Sequence, residues 1–186
     1  TLLEQRYPGF PGLNLSQEVL DAQSVRAKLP TAPPPLLETQ VVDAADSIAY
    51  DTHDADDAIE LGFVRLEELL ELPLVAKAAE NVDSQHGKLD QLLLRRAVLH
   101  ELIELQVAGL VTETSSRLRT MGNASVDRIK EASTGGNRLV IHDPKVQQGK
   151  YELEEFLFQR VYRSDQVMKI RQQSQEKMRY LFCWYC

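Results

Sequence analysis

Residues 41–60 read VVDAADSIAYDTHDADDAIE, with seven carboxylates, one histidine and neither lysine nor arginine. Laid on a helix at about 100° per residue, Asp46, Tyr50, His53, Asp54 and Asp57 fall within an arc of about 100°. Val41, Ala44, Ala45, Ile48, Thr52, Ala55 and Ile59 take the opposite side. This two-sided pattern predicts an amphipathic helix over residues 37–61, with Gly62 as its stop. Such a helix ordinarily turns its polar face to water, so a solvated acidic face is one reading. Self-repulsion argues against it. Like charges three or four residues apart destabilise a helix by roughly 0.2–0.5 kcal/mol per pair. Nothing basic within the stretch offsets Asp43/Asp46 or Asp54/Asp57. A bound cation would do so, and carboxylates beside a histidine are the side chains of a cation or phosphate-chemistry site.

Outward from this helix nearly every periodic segment is also helical. Ser16 is placed to N-cap a helix through about residue 28, and Pro30 follows its end. Upstream, Pro8, Gly9, Pro11 and Gly12 forbid a regular element, and TAPPP at 31–35 favours a stiff extended spacer. Residues 63–82 read as one or two short helices interrupted at Pro73. From 88 to about 121, Leu92, Ala97, Leu99, Leu102, Ile103, Val107, Leu110 and Val111 recur at three- and four-residue steps, ending at Gly122 and Asn123. After a GGN turn at 135–137, the Leu-Val-Ile run of RLVIHDP reads as a lone edge strand. Residues 152–182 are helical again, in two pieces around Ser164 and Asp165. With one short extended run among helices, the expected fold class is all-α.

Composition narrows the function classes. A net charge of −7 over 186 residues argues against nonspecific attraction to nucleic acid or anionic lipid, both of which need lysine and arginine against phosphate. Local basic groups, Arg95/Arg96, Arg117/Arg119 and the set Arg160, Arg163, Lys169 and Arg171, are placed to serve a small nucleotide or simply to solvate helix surfaces. No apolar run approaches the roughly 20 residues of a membrane span, and no export signal is visible, so cytoplasmic residence is expected. Cys183 and Cys186 are too few for a tetrahedral zinc site without two more ligands. The Asp51, Asp54, Asp56 cluster lacks the glycine that an EF-hand needs at its sixth loop position, where this chain has Asp56. Phosphate-loop, dinucleotide, zinc-protease and hydrolase-elbow motifs are missing from the sequence.

Three segments together resemble the deoxyguanosine triphosphate triphosphohydrolase family of HD-domain metal phosphohydrolases. They are RYPGFPGLNLS at 6–16, ETQVVDAADSIAYDTHDADDAI at 38–59 and ELEEFLFQRVYRSDQV at 152–167. The middle one is the most specific, with Ala45, Asp46, Ile48, Ala49, Tyr50 and Asp54 in the pattern A-D-x-I-A-Y-x-x-x-D. The resemblance implies a helical HD-domain fragment over 1–87, followed by a helical HD-associated domain over 88–186. It implies hydrolysis of a deoxynucleoside triphosphate to deoxynucleoside and tripolyphosphate, with a divalent ion, magnesium or manganese. Asp46 would be the carboxylate closing the metal site, Tyr50 would pack against the sugar and exclude a 2′-hydroxyl, and Asp54 would accept a hydrogen bond from the 3′-hydroxyl. These positions follow one another at about 6 Å along a helix. Tyr162, and Arg163 beside it, resemble residues lining the nucleotide pocket, although Phe156, Phe158 and Tyr162 also fit an apolar stripe.

The chain departs from the family pattern in two places. The first histidine and the His-Asp pair of relatives lie upstream of the Tyr-Pro-Gly segment, so this chain alone is expected to be inactive, its chemistry completed from outside it. Ser164 and Asp165 stand where relatives commonly carry histidine and proline. Members of the family often form homo-oligomers, which is the expectation here. The rival expectation is a non-catalytic helical interaction or regulatory module that keeps the scaffold without the ligand set.

Overall fold

A computed structural model describes residue 9 and residues 12–29, 32–122 and 125–185. The described helices are α1 (Gln17–Arg26), α2 (Leu37–Glu60), α3 (Leu66–Leu69), α4 (Pro73–His86), α5 (Gln91–Met121), α6 (Val126–Ala132), α7 (Pro144–Leu157) and α8 (Asp165–Tyr185). A 3-10 turn spans Thr134–Gly136, and a π-helical segment, Phe158–Tyr162, continues α7. No strand occurs among the described residues, so the fold is all-α. The expected Pro8–Pro11 turn falls largely outside the described residues, as do Pro30, Thr31, Asn123 and Cys186. Ser16 occupies the N-cap of α1 in an extended conformation without a side-chain cap bond.

The chain forms two compact units, one from residues 1–45 and 113–141, the other from 46–112 and 142–186. In the first, Gln40 is a fully buried polar hub. Its amide nitrogen donates to the Ser133 hydroxyl at 2.9 Å and the Pro35 carbonyl at 3.2 Å. Its carbonyl accepts the Leu139 N–H at 2.8 Å and the Val140 N–H at 3.3 Å. This replaces the expected edge strand. Leu139 and Val140 are buried in a loop, and a side-chain amide satisfies the backbone donors that a neighbouring strand would otherwise take. Asp43 meets Arg138 at 3.0 Å and Arg26 at 4.0 Å.

The second unit holds the main apolar cluster. Ala55 and Ala58 of α2, Leu69 of α3, Leu74, Val75, Ala78 and Val82 of α4, Val98, Leu99 and Leu102 of α5, and Leu153 and Leu157 of α7 pack together. Pro73, expected as a break, is the first residue of α4, where its missing N–H leaves no bond unmade. The end of α2 is a Schellman motif. Gly62 has φ +73°, its N–H donates to Ile59 O at 3.1 Å, and Phe63 N–H donates to Ala58 O at 2.9 Å. Asp143 caps α7 by accepting from the Lys145 and Val146 N–H groups at 3.0 and 3.2 Å, with Pro144 at the first helical position. Thus α7 begins eight residues before the ELEEF segment that the sequence pattern had marked. Gly149 lets α7 approach α4 closely, since a Cβ there would lie 2.8 Å from Leu74 Cβ.

Candidate functional site

In the second unit α2 buries Ile48, Thr52, Ala55 and Ala58, with the Thr52 hydroxyl donating to the Ile48 carbonyl at 3.1 Å. Val41 and Ala45, assigned by periodicity to the same side, are exposed. The other side carries the residues singled out by the family pattern. Asp46 and Asp54 are half-buried, while Tyr50 is 61% exposed.

No basic residue lies along this stretch of α2 itself, and the cations that meet it come from other helices. Arg95 of α5 donates from Nε to Asp56 Oδ1 at 2.7 Å, and from Nη2 to the Asp56 carbonyl at 2.9 Å and to Glu60 at 3.1 Å. A cation at the C-terminal end of α2 also complements the helix dipole. Lys150 of α7 donates to Asp51 and, at 2.7 Å, to Glu154. Cations from elsewhere in the fold therefore meet much of the α2 charge, and self-repulsion alone does not require a bound ion. Arg95, Arg117 and Arg160 are accordingly engaged by Asp56 and Glu60, by Glu113 and by Glu68.

Asp51, named in the sequence only within a rejected calcium loop, and Lys150, not singled out there, are 7% and 5% exposed. Burial pushes the Asp51 carboxyl up to about 6, against the opposing pull of the Lys150 ammonium. One turn on, Asp54 Oδ2 accepts the hydroxyl of Tyr162. That bond, with burial and neighbouring acids, pushes the Tyr162 phenol up to about 12, because ionisation would set a phenolate against a carboxylate. A cavity of about 270 Å³ opens beside the pair, lined by Asp51, Asp54, Tyr151, Glu154, Phe158 and Tyr162 among others. A second, of about 190 Å³, lies against Asp54, Asp57, Leu61, Phe63, Val161 and Tyr162. The structure thus brings Asp54 and Tyr162 together. Asp46 and Tyr50 line neither cavity. Arg163 stacks over Phe158, with its guanidinium carbon 5.5 Å from the ring centroid.

Among the described residues no group of three histidine, cysteine, aspartate or glutamate side chains is placed to hold an ion. Asp46 is a single carboxylate, short of the donor set of a catalytic ion. These residues do not by themselves form a complete metal site.

The fold is an all-α scaffold presenting a carboxylate–phenol pair beside a small cavity, and its family comes from comparison with known proteins. The chain is 31% identical to a deoxyguanosinetriphosphate triphosphohydrolase-like protein of Geobacter sulfurreducens over 192 aligned positions, covering 97% of this chain and 49% of that protein. Against a deoxyguanosinetriphosphate triphosphohydrolase-like protein 1 of Deinococcus radiodurans it is 36% identical over 187 positions, covering 98% and 48%. A similarly named protein of Rhodopseudomonas palustris is 29% identical, with 100% of this chain and 53% of that protein covered. The chain spans about half the length of the curated relatives it matches. No family model matches it. The chain belongs to the family of deoxyguanosinetriphosphate triphosphohydrolase-like proteins.

Proposed function

We propose that this chain supplies the sugar-gripping part of a metal-dependent deoxynucleoside triphosphate triphosphohydrolase of the HD type. Residues 1–87 would belong to its HD core and 88–186 to its HD-associated domain. The observation that carries the reading is the bond from Tyr162 to Asp54 beside a cavity, because it joins two segments, far apart in sequence, that the family pattern had marked separately.

In this reading Tyr162 occupies one oxygen of Asp54 and leaves Oδ1 to accept the 3′-hydroxyl of the sugar. Tyr162 is a hydrogen-bond donor at physiological pH, and its raised phenol pKa extends that role into the alkaline range. Tyr50, one turn before Asp54 and largely exposed, packs its ring on the deoxyribose and leaves no room for a 2′-hydroxyl. Asp46 is assigned as one ligand of a divalent ion, magnesium or manganese, whose remaining ligands come from outside this chain. No further chemistry is assigned to it. Homo-oligomerisation and cytoplasmic residence belong to the same proposal.

The rival reading, a non-catalytic helical interaction or regulatory module, draws on the lack of a complete ligand set among the described residues. An activity screen of the complete protein separates the two. All four deoxynucleoside triphosphates are offered with magnesium, manganese or no metal, and tripolyphosphate is the product followed. The proposal expects metal-dependent tripolyphosphate from at least one of them, and its absence from all four leaves the module.

A further inference from the structure

Asp51 and Asp54 stand one turn apart on α2, and each is met by a residue of the α7 region, Lys150 for the first and Tyr162 for the second. Tyr162 lies twelve positions after Lys150. In an uninterrupted α-helix that interval turns through about 1,200° and leaves Tyr162 about 120° away from the direction of Lys150. The helix is not uninterrupted. Phe158–Tyr162 is π-helical, and the Arg163 N–H donates to the Phe158 carbonyl at 3.0 Å, five residues back. The wider turn, roughly 80° per residue over five residues, returns Tyr162 to within roughly 30° of Lys150. Leu153 and Leu157, buried against the core, lie on the same face.

The ion pair at the other end of this face is nearly sealed from water, with Lys150 5% and Asp51 7% exposed. Desolvation of two buried charges offsets most of their attraction, so such a pair adds little stability, and its best attested use is to fix register. Leu153 and Leu157 hold α7 against the core by contacts without direction. A salt bridge between single atoms, with Glu154 taking a second bond from the same ammonium at 2.7 Å, admits one register.

We propose that Lys150 is a positioning residue: bound to Asp51, it sets the register of α7 against α2 so that the π segment delivers Tyr162 to Asp54. It thereby governs recognition of the sugar hydroxyl without touching the substrate. This role in recognition rests on the reading of Asp54 as the acceptor for the 3′-hydroxyl, whereas the role in register does not.

The test uses the complete protein. Lys150→Met strands a buried carboxylate and endangers folding, so Asp51→Asn/Lys150→Met, which removes both charges, is the second variant. Leu102→Ala serves as a control that weakens the apolar core while leaving the Lys150–Asp51 pair in place. The first measurement is the titration of the Tyr162 ring carbon by NMR with ¹³C-labelled tyrosine, assigned by Tyr162→Phe. The unsubstituted protein is expected to keep this phenol protonated through pH 11. In the double variant its ionisation is expected to fall by about one pH unit or more, and in Leu102→Ala to stay unchanged. An unshifted Tyr162 in a folded double variant overturns the proposal. The second measurement is the ratio of kcat/KM for a deoxynucleoside triphosphate over its 2′,3′-dideoxy counterpart. That ratio is expected to drop about tenfold in the double variant and to hold in Leu102→Ala; a ratio that holds in both overturns the role in recognition. If the unsubstituted protein itself shows no preference for the 3′-hydroxyl, the reading of Asp54 fails, and the titration alone decides the role in register.

Discussion

Asp51 and Asp54 lie a single turn apart, yet one faces a buried ammonium and the other a phenol. Their neighbours give them different titration behaviour. Burial raises Asp51 from an ordinary 3.8 to about 6, so the folded chain holds that proton more tightly than the unfolded one. The stabilisation linked to it is therefore complete below the unfolded value and is lost as pH rises through 6, with a span on the order of 2–3 kcal/mol. Lys150, Glu154 and Asp54 face the same carboxyl. His142, lowered by burial and by Lys150, contributes with the opposite sign, but it is common to both proteins compared. Chemical denaturation should find unsubstituted protein losing stability relative to Asp51→Asn between pH 4 and pH 7; a constant difference would show that Asp51 does not titrate there. For Tyr50, the expected result of Tyr50→Ala in the complete protein is about a tenfold or greater loss of preference for deoxy- over ribonucleotides with the folding midpoint little changed. Unaltered preference on a competition assay removes the ring from the sugar platform. At this scale the resemblance to the family singled out Asp46, Tyr50, Asp54 and Tyr162, and of these the structure brings Asp54 and Tyr162 together. Asp51 and Lys150 were hidden, since a lysine 99 positions from its aspartate leaves no local signature.

Helix α7 depends on how closely it can lie on its neighbours. A Cβ at Gly149 would sit 2.8 Å from Leu74 Cβ and 3.6 Å from its Cα, so the added methyl must push α4 and α7 apart. Gly149→Ala is expected to cost about 1–3 kcal/mol despite the better helix propensity of alanine. It should also loosen the Tyr162–Asp54 contact. An alanine variant as stable as the parent in urea would contradict the close approach. Helix existence was readable from apolar steps of three and four for α2, α4 and α5, and from Pro73 and Gly62 as boundaries. Two features were not. The Leu139–Val140 run has the composition of a strand, but its donors are taken by Gln40 from about a hundred residues upstream. The π segment is a tertiary outcome: FQRVY carries no residue that demands i→i+5 bonding, and the wider turn appears where Tyr162 reaches α2.

Across the whole molecule, an acidic all-α chain with no described helix long and apolar enough to cross a membrane belongs to a triphosphohydrolase-like family and matches about half the length of its relatives. The all-α class was legible from periodicity, and the family from three ordered segments. The division into compact units was not, because α2 and α5 each contribute residues to both and no break in composition marks the passage. In the proposed reading one face of α2 serves a deoxynucleoside triphosphate, with Asp46 as a ligand of the divalent ion and Asp54 at the sugar. Its most direct test is tripolyphosphate release by the complete protein carrying Asp46→Ala. The expected loss is at least about a thousandfold in kcat, about 4 kcal/mol of barrier, with the thermal midpoint close to that of the parent. Turnover equal to the parent's in a folded Asp46→Ala protein would contradict it.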